Sequence, residues 1–186
     1  MNEPLLKFEA FAKIPRLFND AVIITEKIDG TNAQIFIAYD GGPILAGSRT
    51  RWLTPGKGDN YGFALWVEQN REELLKLGPG RHFGEWWGCG INRAYDLHER
   101  RFSLFNVHKW TDDAVRPKCC RVVPTLEVVP RFDTKRIEAA LESLRHGGSV
   151  AAPGYSKPEG IIVFHCRSSH LYKVLLENDG IPKGSH

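Results

Sequence analysis

The run Glu26-Lys27-Ile28-Asp29-Gly30-Thr31-Asn32 places a lysine between an apolar stretch, Val22-Ile23-Ile24, and an Asp-Gly turn. An apolar stretch that stops at such a turn reads as a strand, so the Lys27 amine stands at the edge of a sheet and can face a cleft instead of bulk water. A lysine presented that way can act as a nucleophile. Alone, the run also describes a hairpin whose turn follows a solvated lysine, and its meaning rests on its companions.

Five further segments carry chemistry that fits such a nucleophile. Gly47-Ser48-Arg49-Thr50-Arg51 closes a strand-like run with two guanidiniums, groups that bind phosphate or sugar oxygens in a fixed fork. Phe83-Gly84-Glu85-Trp86-Trp87-Gly88 sets a carboxylate among aromatics, which is costly unless it meets a hydroxyl, a metal ion or a cation. Phe102-Ser103-Leu104-Phe105-Asn106-Val107 offers an aromatic face for a base, and Phe102, Phe105 and Trp87 all suit that task by type. In Lys157-Pro158-Glu159-Gly160 the Glu159 carboxylate opens an apolar strand, Ile161 to Phe164, at a mouth where a hard cation can sit. In His170-Leu171-Tyr172-Lys173-Val174-Leu175 a lysine is buried in mid-strand and needs an anionic partner or a route for its amine to snorkel out.

The elements that position these groups follow from the spacing of apolar residues. After an amphipathic leader (Leu5, Leu6, Phe8, Phe11, Ile14), residues 21–51 read as strand, turn, strand, turn, strand, an antiparallel meander broken by Asp40-Gly41-Gly42-Pro43. Phe63, Trp66, Val67, Leu74 and Leu77 recur at helical intervals and predict a helix over 59–77, capped by Asp59 or Asn60 and stopped by Gly78. Strands are expected over 81–87 and 101–109, with a polar connection containing Asn92, Arg93 and His98. An apolar stretch over 122–129 leads to a second helix over 134–145, with Ile137, Ala140, Leu141 and Leu144 on one face and Gly147-Gly148 at its end. Strands over 160–166 and 171–176 finish the pattern, which is α+β with mostly antiparallel sheets and flanking helices.

With 186 residues the chain is sized for one core and is expected to form a single domain. A net charge of +3 favours an anionic partner without the strongly basic character of a nucleic-acid coat. The longest apolar runs are strand-sized and the first residues lack a secretion-signal layout, so a cytoplasmic protein with no membrane association is expected. Cys89, Cys119, Cys120 and Cys166 have no CxxC spacing and read as free thiols. His165 and Cys166, neighbours on a strand, point to opposite faces and are poorly placed to share one metal ion.

Taken in order, the six segments resemble the nucleotidyltransferases that form a lysyl-AMP or lysyl-GMP intermediate, the polynucleotide ligases and mRNA capping enzymes. Within that group the chain is most similar to ATP-dependent RNA ligases of phage type 2, whose nucleophile motif is Glu-Lys-x-x-Gly-Thr-Asn with Ser-Arg following, here Glu26 to Asn32 and Ser48-Arg49. The likeness runs from Glu26 to Lys173 and extends to a ligase adenylation domain and a phage-encoded origin. It implies that Lys27 attacks the α-phosphorus of ATP, and that Glu26, Ile28 and Asn32 flank the nucleotide and the incoming end. It further implies that Arg49 holds sugar or phosphate, that Glu85 meets the ribose hydroxyls or supports a metal, and that Phe105 stacks on adenine. Glu159 would help bind Mg2+ or Mn2+, and Lys173 would neutralise the α-phosphate. A free lysine titrates near ~10.4, so desolvation and the charges of Arg49, Lys173 and magnesium are expected to ease its deprotonation.

Two departures stand out. The family's last motif usually carries two lysines one residue apart, whereas Lys173 is followed by Val174 and Leu175, so Lys157 or Lys183 is the candidate substitute. Relatives also usually append a further domain after that motif, which makes this chain a bare catalytic module, monomeric or completed by a partner chain. The expected function is therefore a minimal ATP-dependent RNA ligase acting on RNA ends or nicks. The alternatives are a DNA nick ligase or guanylyltransferase, and a nucleotide or RNA-end binding module without turnover.

Overall fold

The computed structural model describes residues 9–177 and 179, apart from residues 15, 40 and 57. Leu5, Leu6 and Phe8 of the amphipathic leader lie outside the described residues, and its Phe11 and Ile14 are fully exposed instead of packed. Among the described residues ten strands form two sheets. One has the order β10 (His170–Leu175), β9 (Gly160–His165), β1 (Val22–Lys27), β8 (Thr125–Val129). The other has the order β4 (Trp52–Leu53), β3 (Ile44–Gly47), β2 (Thr31–Ile37), β5 (Gly80–Gly88), β6 (Arg100–Leu104), β7 (Cys120–Val122). All pairings are antiparallel except β6 with β7.

The expected meander over 21–51 is corrected by this topology. β2 and β3 do pair, but β1 belongs to the other sheet, between β8 and β9. An Asp-Gly turn between two apolar runs signals a hairpin locally, whereas β1 is paired along both edges with strands a hundred residues or more downstream. Asp29-Gly30 is therefore a crossing from one sheet to the other, with Lys27 as the last residue before it.

Each sheet is covered on its outer face by helix. Thr134–Gly147 (α4) lays Ile137, Ala140, Leu141 and Leu144 against Val22, Ile24, Ile161 and Val163, with Asp133 capping its start by accepting from Lys135 N at 2.9 Å. The single helix expected over 59–77 is instead Phe63–Gln69 (α1), Arg71–Leu74 (α2) and a 3-10 turn, Leu75–Leu77. Asn70 breaks it, because its amide competes for the Trp66 carbonyl at 2.8 Å. Start and stop also differ in detail: Asp59 accepts from Gly62 N at 2.7 Å, which delays the helix to Phe63, and Gly78 ends the run with a φ of 76°. The strand expected over 101–109 stops at Leu104, and Val107–Trp110 (α3) is helical behind an Asn106 cap.

A third apolar cluster, Ile28, Trp87, Tyr95, Val123 and Ala152, fills the seam where the two sheets meet. This seam, more than either sheet, holds the turn that follows Lys27.

Candidate active site

Strand alternation divides the side chains of β1 between two environments. Val22 and Ile24 face α4, while Ile23, Thr25 and Lys27 face a cleft between the sheets. β9 and β10 extend that wall with Ile162, Phe164, Leu171 and Lys173, and the other sheet supplies Asn32, Phe83 and Glu85 opposite. Arg49 and Phe105 stand at the rim of the same cavity, whose volume is about 1090 Å³. Segments far apart in sequence thus converge here because both sheets turn one face inward.

The Lys27 Nζ donates to Glu159 Oε2 at 2.6 Å, with the lysine side chain 21% exposed and the glutamate 5%. Their meeting follows from register: Lys27 pairs with Gly160, the residue after Glu159. Lys173, expected to be buried, is exposed because β10 is an edge strand. Its side chain still lines the cleft, two strands from Lys27. Of the three aromatics suited to a base, Phe102 and Trp87 are fully buried in apolar clusters, whereas Phe105 is exposed at the cleft.

The turn after Lys27 is clasped from several sides. Asp29 N donates to Tyr95 Oη at 2.7 Å and Gly30 N to Glu85 Oε1 at 3.0 Å. Asn92 Nδ2 reaches Asp29 Oδ1 at 3.0 Å and the Gly30 carbonyl at 2.6 Å, and Arg93 Nε reaches Asp29 Oδ2 at 3.2 Å. Arg93 Nη1 also donates to the Lys157 carbonyl at 3.1 Å, so one guanidinium ties the turn after Lys27 to the segment that carries Glu159. Asn92, Ala94, Tyr95 and Asp96 all have positive φ, a strained arrangement that persists only where surrounding contacts enforce it. Gly30 is required by close approach: a Cβ there would lie 2.5 Å from the Trp86 carbonyl oxygen.

Glu26 and Glu85 are both buried carboxylates, yet they face different ways. Glu26 lies on the α4 side of β1, where Oε1 accepts from Ser149 Oγ at 2.6 Å and Oε2 from Val150 N and Ala151 N at 2.8 Å. Burial pushes its carboxyl up, against the pull of these hydrogen bonds. Its side chain holds the 149–151 loop to the strand that presents Lys27. Glu85 faces the cleft and accepts from Gly30 N and, at 3.2 Å, Asn32 Nδ2. Burial pushes it up to about 7, while Lys27 and the Gly30 amide pull the other way.

That shift has a measurable consequence. Between the ordinary value of 4.5 and about 7 the folded protein keeps a proton that the unfolded chain has lost, so stability is full at low pH and falls as pH rises through 7. Glu85→Gln removes the buried charge and still offers an acceptor to Gly30. At pH 8 the variant should gain on the order of 2 kcal/mol over the wild type, a rise of roughly 4–8 °C in melting temperature, and at pH 5 the gap should close. Thermal melts at the two pH values check this, and an equal gap at both would count against it.

The carboxylates suit a hard divalent cation, which takes oxygen ligands. Glu159 also raises Glu85, as two like charges near one another do. Among the described residues no three His, Cys, Asp or Glu side chains converge on one point, so Glu159 and Glu85 would share an ion with phosphate oxygens and water. Nothing in the local sequence assigns Asp29, Asn92, Arg93 or Tyr95 to this clasp. Asn92 and Arg93 stood out only as polar residues of a connection, and the positive-φ loop that aims them has no short-range signature.

Comparison with known proteins places this chain in a family. The sequence profile of the RNA ligase family matches residues 20–175. No curated protein sequence matches. Among solved structures, a mutant Naegleria gruberi RNA ligase with ATP and Mn is similar at a TM-score of 0.62 and 19% identity, over 85% of this chain and 50% of that one. A mutant of the same ligase with AMP and Mn gives 0.63 and 18%, over 85% and 50%, and an apo mutant 0.64 and 18%, over 86% and 50%. The chain spans about half the length of these structures, and at such identities the likeness establishes the α+β fold. No helix among the described residues is long and apolar enough to cross a membrane.

Proposed function

The chain belongs to the RNA ligase family, and from that premise we propose that it is an ATP-dependent RNA ligase in which Lys27 is the residue that becomes adenylylated. The observation that carries this reading is the Lys27 amine held at the cleft wall, 2.6 Å from Glu159 Oε2. In the first step Nζ attacks the α-phosphorus of ATP, the N–P bond forms and pyrophosphate leaves. Glu159 Oε2 is the nearest acceptor for the proton that Nζ sheds. Lys173 and Arg49 face the same cavity and would offset negative charge on the phosphates as it builds.

Phe105 offers a ring for adenine on one wall, with Ile162 on the facing sheet. Glu85, which accepts from both Gly30 N and Asn32 Nδ2, would hold the turn rigid while it and Asn32 present polar atoms to the ribose. A divalent ion held by Glu159 and Glu85 would neutralise phosphate charge; the similar structures with ATP or AMP and Mn fit that chemistry. The AMP then passes from Lys27 to a 5′-phosphate end, and a 3′-hydroxyl displaces AMP as the new phosphodiester forms. In place of the absent second lysine, Lys157 stands exposed two residues before Glu159. Lys183 lies outside the described residues.

The test uses α-labelled ATP with Mg2+ or Mn2+. We expect a covalent label on the protein, none from GTP, and its transfer to added 5′-phosphorylated RNA. Nicks ending in a 3′-ribonucleotide should be sealed faster than those ending in a deoxynucleotide. Equal sealing of the two would refute RNA specificity, and labelling by GTP alone would point to guanylyl transfer.

A further inference from the structure

Beyond the nucleotide-sized part of the cleft, the inward face of the six-stranded sheet continues as a row of aromatics and guanidiniums. Phe36 and Arg81 are direct cross-strand partners, as are Gln34 and Phe83, and Asn32 and Glu85. The same face therefore reads Glu85, Phe83, Arg81 outward along β5. At about 3.4 Å per residue, Arg81 lies roughly 13 Å along the strand from Glu85, the height of about four bases stacked at ~3.4 Å. Arg81 and Phe83 line the cavity that Lys27 faces, so this face is continuous with the site.

Its geometry is prearranged. The Arg81 guanidinium carbon lies 5.3 Å from the Phe36 ring centre and 5.2 Å from that of Trp52, and the two rings are 6.2 Å apart. Arg81 Nη1 donates to Gln34 Oε1 at 3.0 Å, and Gln34 Nε2 donates to the Ser48 carbonyl at 3.0 Å, which ties the platform to the turn bearing Arg49. Gly47 makes the packing possible: a Cβ there would lie 2.7 Å from Gln34 Cγ and 3.1 Å from Trp52 Cε3. Despite this order, Trp52 is 45% and Phe83 51% exposed. Large aromatics fixed in place and left open to water mark a surface that meets something.

We infer that this face, with Trp52, Phe36, Arg81 and Phe83 at its centre, is a stacking platform for unpaired nucleotides of the RNA strand whose end enters the cleft. Exposed rings accept bases of any sequence, and the guanidiniums of Arg81 and Arg49, which line the same cavity, supply charge for the phosphates between them. A protein partner would meet the same rings, but the arginines and the continuity with the Lys27 cleft favour a polyanion that must reach that cleft. The inference rests on the ligase reading for the identity of the strand.

Trp52 is the residue to change, because it belongs to the platform and not to the wall around Lys27. Fluorescence anisotropy with a 5′-phosphorylated single-stranded RNA oligonucleotide should show Trp52→Ala binding about tenfold more weakly than the wild type. Trp52→Phe should recover most of that loss and Trp52→Glu should bind more weakly still, while lysyl-AMP formation from ATP without RNA stays within about twofold in all three. RNA affinity unchanged in both Trp52→Ala and Trp52→Glu, with melting temperatures like the wild type, overturns the platform and leaves the surface to a protein partner. Absence of RNA binding by the wild type also overturns it. Failure of the wild type to take a label from ATP, with RNA binding lost in the Trp52 variants, would instead sink the ligase reading and leave the platform standing.

Discussion

Lys27→Arg protein incubated with α-labelled ATP and a divalent cation should carry no detectable covalent nucleotide, a loss on the order of a thousandfold or more. Arginine keeps a positive charge against Glu159, whose side chain is only 5% exposed, so the ion pair survives and the fold is retained. What is lost is the nucleophile: a guanidinium stays protonated at any working pH and its lone pairs are delocalised. Removing the charge outright, as in Lys27→Ala, confounds chemistry with the cost of leaving a nearly buried carboxylate without its cation. The comparison that decides is therefore Lys27→Arg by mass spectrometry and labelling, beside its melting curve. A normal melt with no adduct assigns the chemistry to the amine; an adduct on Lys27→Arg moves the nucleophile elsewhere.

Glu26→Ala should be among the most damaging single changes in the chain, by stability and not by chemistry. The substitution strips acceptors from the Ser149 hydroxyl and the Val150 and Ala151 amides, and each buried donor left without a partner costs about 1–3 kcal/mol. A total near ~4 kcal/mol corresponds to a fall of roughly 8–16 °C in melting temperature. Glu26→Gln should be mild, since one amide oxygen can serve the two backbone N–H groups while its NH2 donates to the Ser149 hydroxyl, which accepts as readily as it donates. Labelling by ATP should follow folding in both variants. Should Glu26→Gln melt normally yet fail to label, the carboxylate has a direct part in nucleotide binding, as the family resemblance implies, instead of the positioning part its contacts describe.

The strands and α4 were legible because each satisfies a local rule: alternation along Ala33 to Ile37, the apolar run Ile161 to Phe164, and the spacing of Ile137, Ala140, Leu141 and Leu144. The destination of β1 was not, since the Asp29-Gly30 turn looks the same whether the chain folds back or crosses to a second sheet. Partners at Thr125–Val129 and Gly160–His165 decide it, and their distance hides them from any local pattern. Asn70 likewise passes for a tolerable helix residue until its side chain is seen on the Trp66 carbonyl. In the site, Lys27, Glu85, Arg49, Phe105 and Lys173 share one cavity. Two features have no local signature. Which way Glu26 points follows from the face of β1 that α4 covers, and the clasp by Tyr95, Asn92 and Arg93 depends on a loop of positive-φ residues. The Trp52–Arg81–Phe36 contact joins residues whose nearness is a matter of sheet register alone.

Because Lys27 ends a strand of one sheet and Thr31 begins a strand of the other, the proposed site straddles a boundary between two separately buttressed layers. The layers can each survive an excursion that parts them, whereas the alignment of amine and nucleotide cannot. Inactivation at moderate urea should accordingly precede loss of far-ultraviolet dichroism, and amides of residues 28–30 should exchange with deuterium sooner than those of Ile24 or Ile35. The protein would then have two thermal limits, a lower one set by the join and an upper one set by the layers.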